Sequence, residues 1–587
     1  MVKRNRGNCG RIEARKKGKI GEKACYSGFD ILVRNRGRLE GFETGLEREL
    51  DGNNRWVRLA SSIPWDGLAE GYYRKMSSKA GRPAKDARLV IGAVIVKHML
   101  CLSDEETVRQ IQENPYLQYF VGLTEYQKEE PFAPSLFVEI RRRMGEDVFS
   151  RFNEVIVEAL AKSEGKTSER KTAEKKEDDD PKSGQLIEVT VEAVAKIEAA
   201  EKGEAADKRE DEDDPKSGRL ILDATVAPQA IAYPTDINLL NESREIAEKI
   251  IDVLSKETAI KKKPRTYRER ARGDYLSIVK RRKPTSQTRR KGVREQLQYV
   301  QRNLKHINEM LDKLPDQQIP LSHKMLRKYW IIRQVYEQQK EMYDAKKQKV
   351  DNRVVSVSQP HIRPIVRGKA GKSAEFGAKL SVSLTKSGIA TVDRIGWDAF
   401  NESEDLEMQV ERYKEVHGHY PESVIADPIY GTRANRKWLA DKRIRYCGKP
   451  LGRPRKETPE NKEELKKEKK QRQADYRERI PIEGKFGQGK NGYGLGYIRA
   501  KTARTSEAWI RSIFLVMNLL VLERAFLLLI KTIAHSRNIV RTAFVNQKNA
   551  FIHQKIIPIS ANKQKSMPQN YIPSAWGNYP LVKSQNF

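Results

Sequence analysis

The chain has 587 residues, enough for two or three domains with a sizeable core, and its 113 Lys and Arg against 80 Asp and Glu give a formal charge of +33. That excess, with a sequence pI of about 9.7, points to a polyanionic partner, of which nucleic acid is the commonest. Four cysteines, at positions 9, 25, 101 and 447 with no C-x-x-C pair, exclude a disulfide framework and a zinc cage and fit a reducing cytoplasm.

The start, MVKRNRGNCGRIEARKK, is basic but has no apolar stretch after it, so no signal peptide is expected; residues 1–50 read as poorly ordered. Residues 51–162 turn helical. LVIGAVIVKHML and ETVRQIQENPYLQYFVGL carry apolar residues at three- and four-residue spacing, and Ser103 and Asp104 are placed to cap the second. A compact helical module on a basic chain fits a DNA reader of helix-turn-helix type, with a helical interaction or dimer domain as the alternative. Residues 163–218 read as a charged linker holding a partial duplication. DDPKSGQLIEV begins at Asp179 and DDPKSGRLILD at Asp213, and only the second carries the aspartate, Asp223, where the first has Val189. The acidic runs at 177–180 and 210–214 read as solvated linker.

RLILDATV reads as a short strand with Asp223 near its end. Residues 238–351 form a basic helical stretch, in which KKKPRTYRERAR and KRRKPTSQTRRKGVR cluster Lys and Arg around Tyr. It reads as a clamp on a DNA backbone, with a solvated helical hairpin as the alternative. Strand-like alternation returns at VVSVS, AKLSVSL and ATVDRIGW, and SVIAD ends in Asp427. Helices follow to residue 530. The strongest apolar run, residues 513–522, meets Glu523 and Arg524 before AFLLLI, short of the roughly 18 to 20 residues a membrane span needs, so it reads as core helix. Residues 535–587 show no clear period and read as a loosely ordered tail.

One run carries chemistry. In YRERIPIEGKFGQGK, Tyr476, Arg479, Glu483 and Lys490 fit the spacing Y-x2-R-x3-E-x6-K. At about 100° per residue all four fall on one helix face, which would set a carboxylate between two cations and a phenol. Such a face suits a metal ion beside a phosphodiester; the plainer reading is a solvated, charged surface. Pro481 and the glycines at 484, 487 and 489 argue against one unbroken helix.

With this signature the chain resembles the DDE transposases of bacterial insertion sequences, in the group that shares the Y-R-E-K motif, over residues 55–530. RWVRLASSIPWDGL, LSDEETVRQIQENPYLQYFVGL and PFAPSLFVEIRRRMG resemble that group's N-terminal domain. LILDATVAPQAIAYPTDINLLNESRE resembles the segment around its first catalytic aspartate, and GHYPESVIADPIYGTRANRKWL and PIEGKFGQGKNGYGLGYIRAKTARTSEAWI continue the match in order. The resemblance implies an α/β protein: a ribonuclease-H-like catalytic core at 219–534 with a helical insertion at about 238–351, preceded by an all-α N-terminal DNA-binding domain.

It also implies a reaction. Asp223, Asp427 and Glu483 would be the catalytic carboxylates and the ligands of two Mg²⁺ ions, with Mn²⁺ as a substitute; Asp223 would bridge both. Three anionic side chains brought together repel and are costly to desolvate unless cations neutralise them, and hard oxygen ligands favour Mg²⁺. Water would cut a phosphodiester at the element end, and the 3′-OH left behind would attack target DNA. Arg479 and Lys490 would hold phosphates, and Tyr476 would stack on or hydrogen-bond the strand. The partners implied are double-stranded DNA, as terminal inverted repeats and as target, and further copies of the chain; no membrane is implied, and the place is the cytoplasm, at the nucleoid.

Pro428 departs from the family, which commonly has a basic residue after the second aspartate; it removes a cation and a backbone N–H. An inactive or domesticated transposase-derived DNA-binding protein is therefore the alternative, and a nuclease of the same fold that hydrolyses without joining is a third. LGRPRK (451–456), with Arg453 and Arg455, has the Gly-Arg-Pro core of a minor-groove hook, and GRPAK (81–85) is a weaker version; each also reads as a basic turn. His417 and His419 read as loop residues. GKFGQGKNGYGLG matches no phosphate-binding loop, so no ATP dependence is expected.

Overall fold

The computed structural model describes residues 44–74, 76, 84–177, 216–257, 263–314, 319–366, 374–453, 455, 458–459 and 461–556. The basic start, the first copy of the duplicated segment, the glycine, arginine and proline of GRPAK and the end of the tail lie outside these residues. The chain divides into two compact units, Met1–Phe526 and Leu527–Phe587.

The first unit begins with helices: α1 (Gly45–Glu49), α2 (Arg55–Ser62), α3 (Trp65–Tyr73), α4 (Ala87–Met99), α5 (Asp104–Glu113), α6 (Pro115–Phe120), α7 (Leu136–Arg143) and α8 (Glu146–Glu177). Their ends are set by side chains. Ser103 caps α5 by accepting the Glu106 N–H at 3.0 Å, and Asn114 caps α6 from the residue before Pro115. α4 is buried almost all round, which explains why its apolar residues run on without a polar stripe.

A sheet follows, made of β1 (Arg219–Pro228), β2 (Arg363–Val366), β3 (Ala374–Thr385), β4 (Ala390–Gly396), β5 (Ser423–Ala426) and β6 (Arg445–Cys447). Its order is β2-β3-β1-β5-β6, with β4 also paired to β3. β1 runs antiparallel to β3 and parallel to β5, and β6 is parallel to β5, so the sheet is mixed. Gly377 of β3 is required by this pairing: a Cβ there would stand 2.1 Å from the Ala227 carbonyl oxygen of β1.

Between β1 and β2 come four helices, α9 (Asp236–Glu257), α10 (Arg268–Val279), α11 (Ser286–Leu311) and α12 (His323–Asp344), of which α9, α11 and α12 enclose an apolar core of their own. VVSVS is not a strand. Val354 and Val357 instead fill that helical core, so apolar alternation here reflects packing against helices. RLILDATV is longer than expected, reaching Pro228, and Asp223 lies in mid-strand because β3 pairs along its whole length.

Helices cover both faces of the sheet. Leu220, Leu222, Val424 and Ala426 pack towards α13 (Leu406–His417) and α14 (Arg433–Asp441). Ile221, Leu380, Val382 and Ile425 pack on the other face with Ile482 and Phe486 of α15 (Lys462–Gly492) and Ile510, Ile513 and Phe514 of α16 (Ala503–Ile556).

Two expectations about these last helices fail. α15 is unbroken despite Pro481 and its glycines. Ile482 and Phe486 are buried in the sheet core, and Gly489 sits where a Cβ would meet Leu495 at 3.1 Å, so tertiary packing outweighs the local propensities. The buried Lys485 also ties α15 to the β3–β4 turn by donating to the Gly388 carbonyl at 3.0 Å. α16 runs through Glu523 and Arg524 without interruption and continues past His535 to Ile556. Residues Ala503–Ile533 are thus long and apolar enough to cross a membrane by length and composition, contrary to the sequence reading of an interrupted run. Burial accounts for the first half: Ile510, Ile513, Phe514 and Met517 face the sheet, and Leu515, Val516 and Leu519 face the N-terminal helices. In the second unit the described residues are helical, with Leu528 and Ile530 exposed.

Candidate active site

The period of two along a strand decides which face each aspartate takes. Ile221 lies in the core beneath α15 and α16, so Asp223 two residues on shares that face. Ile425 lies there too, which gives Asp427 the same side. Register then sets their level. Leu222 pairs with Ala426 in the parallel β1–β5 ladder, so the next residue on each side is an aspartate, Asp223 still within β1 and Asp427 just past the end of β5. α15 lies across this face and supplies Glu483.

Arg479, one helical turn before Glu483, joins the carboxylates. Its guanidinium donates to Glu483 Oε1 at 2.7 Å and lies 3.1 Å from Asp427 Oδ2, with only 16% of its side chain exposed. Asp223 accepts the Ala224 N–H at 2.8 Å. Burial, together with the charges of Asp427 and Glu483, raises the Asp223 pKa, although the Ala224 N–H and Arg479 pull the other way. Burial opposes the charge of Arg479, but Asp223, Asp427 and Glu483 outweigh it and raise its pKa. The carboxylates therefore carry excess negative charge that one guanidinium offsets in part.

Among the described residues no three His, Cys, Asp or Glu side chains stand close enough to hold a metal as they are. The donor set nevertheless fits hard divalent cations: carboxylate oxygens, one of them partly desolvated and repelled by its neighbours. Arg479 occupies part of the space between two of the donors.

Beside Asp427 opens a cavity of about 940 Å³, lined by Pro428, Lys449, Lys469, Arg472, Tyr476 and Arg479 among others. Tyr476 is 67% exposed, with the Arg479 guanidinium 5.7 Å from its ring. Lys490 lies in the last turn of α15. Arg453 is exposed in the loop after β6, whereas Arg455 is tied to α15 through Glu468 at 2.8 Å and Glu464 at 3.7 Å. His417 ends α13 rather than lying in a loop, and it stacks on Tyr413 at 4.2 Å; His419 follows in the loop.

Lys469 and Arg472 were missed from the sequence, although the signal was present. Lys469, Arg472, Tyr476, Arg479 and Glu483 recur at three- and four-residue intervals, a single stripe along α15. Lys449 carried no such signal, because it reaches the cavity from the loop after β6.

Fold and site together describe an α/β protein whose carboxylates gather with cations at one level of a mixed sheet. Residues 424–520 match a family model described as a transposase DDE domain, and residues 45–143 match one described as a transposase domain. The two matches support an insertion-sequence DDE transposase, the family whose motifs the sequence resembles. The first covers Asp427 and Glu483 but neither Asp223 nor the helical insertion. An uncharacterized protein, ORF8 in the nfe locus of Rhizobium meliloti, is 36% identical over 126 residues, which is 21% of this chain and 59% of that relative. The chain thus spans about three-fifths of the length of the curated relative it matches. No solved structure matches it.

Proposed function

We propose that the chain is the DNA transposase of an insertion sequence, cutting DNA at the element ends and joining it to a target. The observation that carries this is the ion pairing of Asp427 and Glu483 to Arg479, with Asp223 on the neighbouring strand within reach of their charges, in a chain that matches two transposase domains. The sheet supports a ribonuclease-H-like core: three antiparallel strands, β1, β3 and β4, with β5 and β6 parallel to β1. In this reading residues 51–162 form an all-α reader of the DNA ends and 219–534 the catalytic domain.

Asp223, Asp427 and Glu483 would hold two Mg²⁺ ions, for which Mn²⁺ would substitute. When bound, such ions favour deprotonation of the attacking hydroxyl and neutralise charge on the phosphate and leaving oxygen. The protein's own groups do the rest. Tyr476, Arg472, Lys469 and Lys449 line the DNA strand's path beside Asp427. Arg479 and Lys490 hold phosphate oxygens, and a guanidinium does so with two parallel hydrogen bonds where it can. Arg453 and Arg455 reach for a groove of the duplex. Arg281, Arg282, Lys283, Arg289, Arg290 and Lys291, all exposed around the α10–α11 turn, clamp the DNA backbone. The two transposase matches do not favour the alternative of an inactive derivative.

The test is an oligonucleotide duplex carrying the terminus of the element that encodes the protein, incubated with Mg²⁺ and a target plasmid. Cleavage with joined product supports the reading. Cleavage without joining makes the protein a nuclease, and specific binding without cleavage makes it a DNA-binding derivative.

A further inference from the structure

A second cavity, of about 430 Å³, lies on the face of the sheet covered by α13. Its floor includes Asp393 of β4; Gln409, Arg412 and Glu415 of α13 form one wall, and Ser150 and Glu154 of α8 another. The volume is in the range of small-molecule sites, roughly 300 to 1,000 Å³.

Its buried polar groups are satisfied by the protein only in part. Asp393 is buried, and its Oδ2 accepts the Gln409 Nε2–H at 2.8 Å. Oδ1 accepts no hydrogen bond, and neither does the Oε1 of the equally buried Gln409. The nearest cation does not close the gap. Arg412 stands 3.8 Å from Asp393 Oδ1 because it donates to Ser150 Oγ at 2.6 Å and lies 3.9 Å from Glu146. Glu146 is itself held by Arg511 at 2.8 Å. Burial pushes the Asp393 carboxyl up to about 6, despite the Gln409 amide, Arg412 and the Ser383 hydroxyl, which pull it down. The lining holds four carboxylates, Glu154, Asp393, Glu411 and Glu415, and one guanidinium, Arg412; from outside it Arg151 pairs with Glu154 at 3.1 Å and Lys442 lies 3.8 Å from Glu411.

Buried acceptors without donors call for a guest that donates. A metal ion is the weaker fit, since no three acidic, His or Cys side chains converge among the described residues. An ammonium group carries three donors, no acceptor and a positive charge. We propose that this cavity binds a small linear di- or polyamine, one ammonium donating to Asp393 Oδ1 and Gln409 Oε1 and another lying between Glu154 and Glu415. Because its walls come from α8 on one side and from β4 and α13 on the other, the guest ties the N-terminal helices to the sheet. The inference is independent of the catalytic assignment.

The experiment is calorimetric titration of the full-length, DNA-free protein with putrescine and with spermidine, and with Mg²⁺ and Nα-acetyl-lysine amide as separate arms. Saturable one-to-one binding of either polyamine is expected. Asp393→Asn should weaken it at least about tenfold, in line with loss of a charged hydrogen bond. Gln409→Met and the exposed Glu415→Gln should each weaken it severalfold, with melting curves showing that each variant is folded; these two keep the test decisive if Asp393→Asn fails to fold. No saturation by about 10 mM polyamine overturns the proposal. So does equal binding by wild type and all folded variants, Asp393-dependent binding of Mg²⁺ instead, or tighter binding of the lysine amide, which would assign the cavity to a protein side chain.

Discussion

Asp223 in β1 and Asp427, the residue that follows β5, each lie one residue beyond the Leu222–Ala426 pair of these parallel strands. Neither residue is near the other in sequence, so the ladder between β1 and β5 makes the pair. Asp223→Asn, Asp427→Asn and Glu483→Gln should each lower the rate of end cleavage by at least about a thousandfold, equivalent to roughly 4 kcal/mol at the transition state. Affinity for the duplex should stay within a few fold, because carboxylates do not attract phosphate. Single-turnover cleavage and gel-shift titration measure the two; normal cleavage by any of the three would remove that residue from the site.

Arg479 should have two measurable effects. Its ion pairs with Asp427 and Glu483 compete with any cation those carboxylates bind. Arg479→Gln should therefore raise the affinity of the DNA-free protein for Mn²⁺ severalfold, read by electron paramagnetic resonance, while end cleavage falls. Arg479→Lys should recover only part of the cleavage, since lysine cannot form the two-pronged contact. Unchanged Mn²⁺ affinity in Arg479→Gln would mean the ion pairs do not oppose the metal.

Nonspecific binding to duplex DNA should depend steeply on salt. Contacts to roughly 6 to 10 phosphates give a log–log slope of about −5 to −9. Replacing Arg281, Arg282 and Lys283 together by Ala should make the slope shallower by about 2 to 3, one phosphate per cation, without altering the thermal midpoint much. An unchanged slope would place the DNA away from the α10–α11 turn.

His98 predicts an acid-sensitive N-terminal region. It is fully buried against Trp509, and burial, with Lys97 and Arg141 nearby, lowers its pKa from 6.5 to about 3. The unfolded chain takes up the proton first. Stability from this group is therefore present above pH 6.5 and is lost progressively as pH falls from there towards about 3. His98→Leu should flatten the fall in urea-denaturation free energy over that window by about one proton's worth of slope, roughly 1.4 kcal/mol per pH unit. An identical slope in the variant would mean another group sets the acid sensitivity.

Gly377→Ala tests the sheet itself. The added methyl would collide with the Ala227 carbonyl and with Pro228 Cα at 2.8 Å, both backbone atoms that cannot turn aside. A loss of about 1 to 3 kcal/mol, the usual cost of overpacking, is expected in chemical denaturation. A loss below about 0.5 kcal/mol would show that β1 and β3 can separate locally at their ends.

Local periodicities were enough to find much of this protein. The three- and four-residue spacing from Lys469 to Glu483 determines a helix face, and Ser103 determines where α5 begins. Alternation along RLILD and SVIAD determines that each aspartate shares a face with the isoleucine two residues before it. What lay beyond local pattern was decided by burial and pairing between distant segments. Val354 and Val357 alternate like a strand but fill a helical core, and Pro481 sits within a helix that Ile482 and Phe486 hold against the sheet. The level of Asp223 beside Asp427, the grip of Arg479 on two carboxylates and the orphaned oxygen of Asp393 exist only once β1, β4, β5, α8, α13 and α15 are packed. The sequence fixes which face a side chain takes because that follows from bonds along the backbone. Which side chain it meets depends on register and packing between segments far apart in the chain, and no local pattern encodes those.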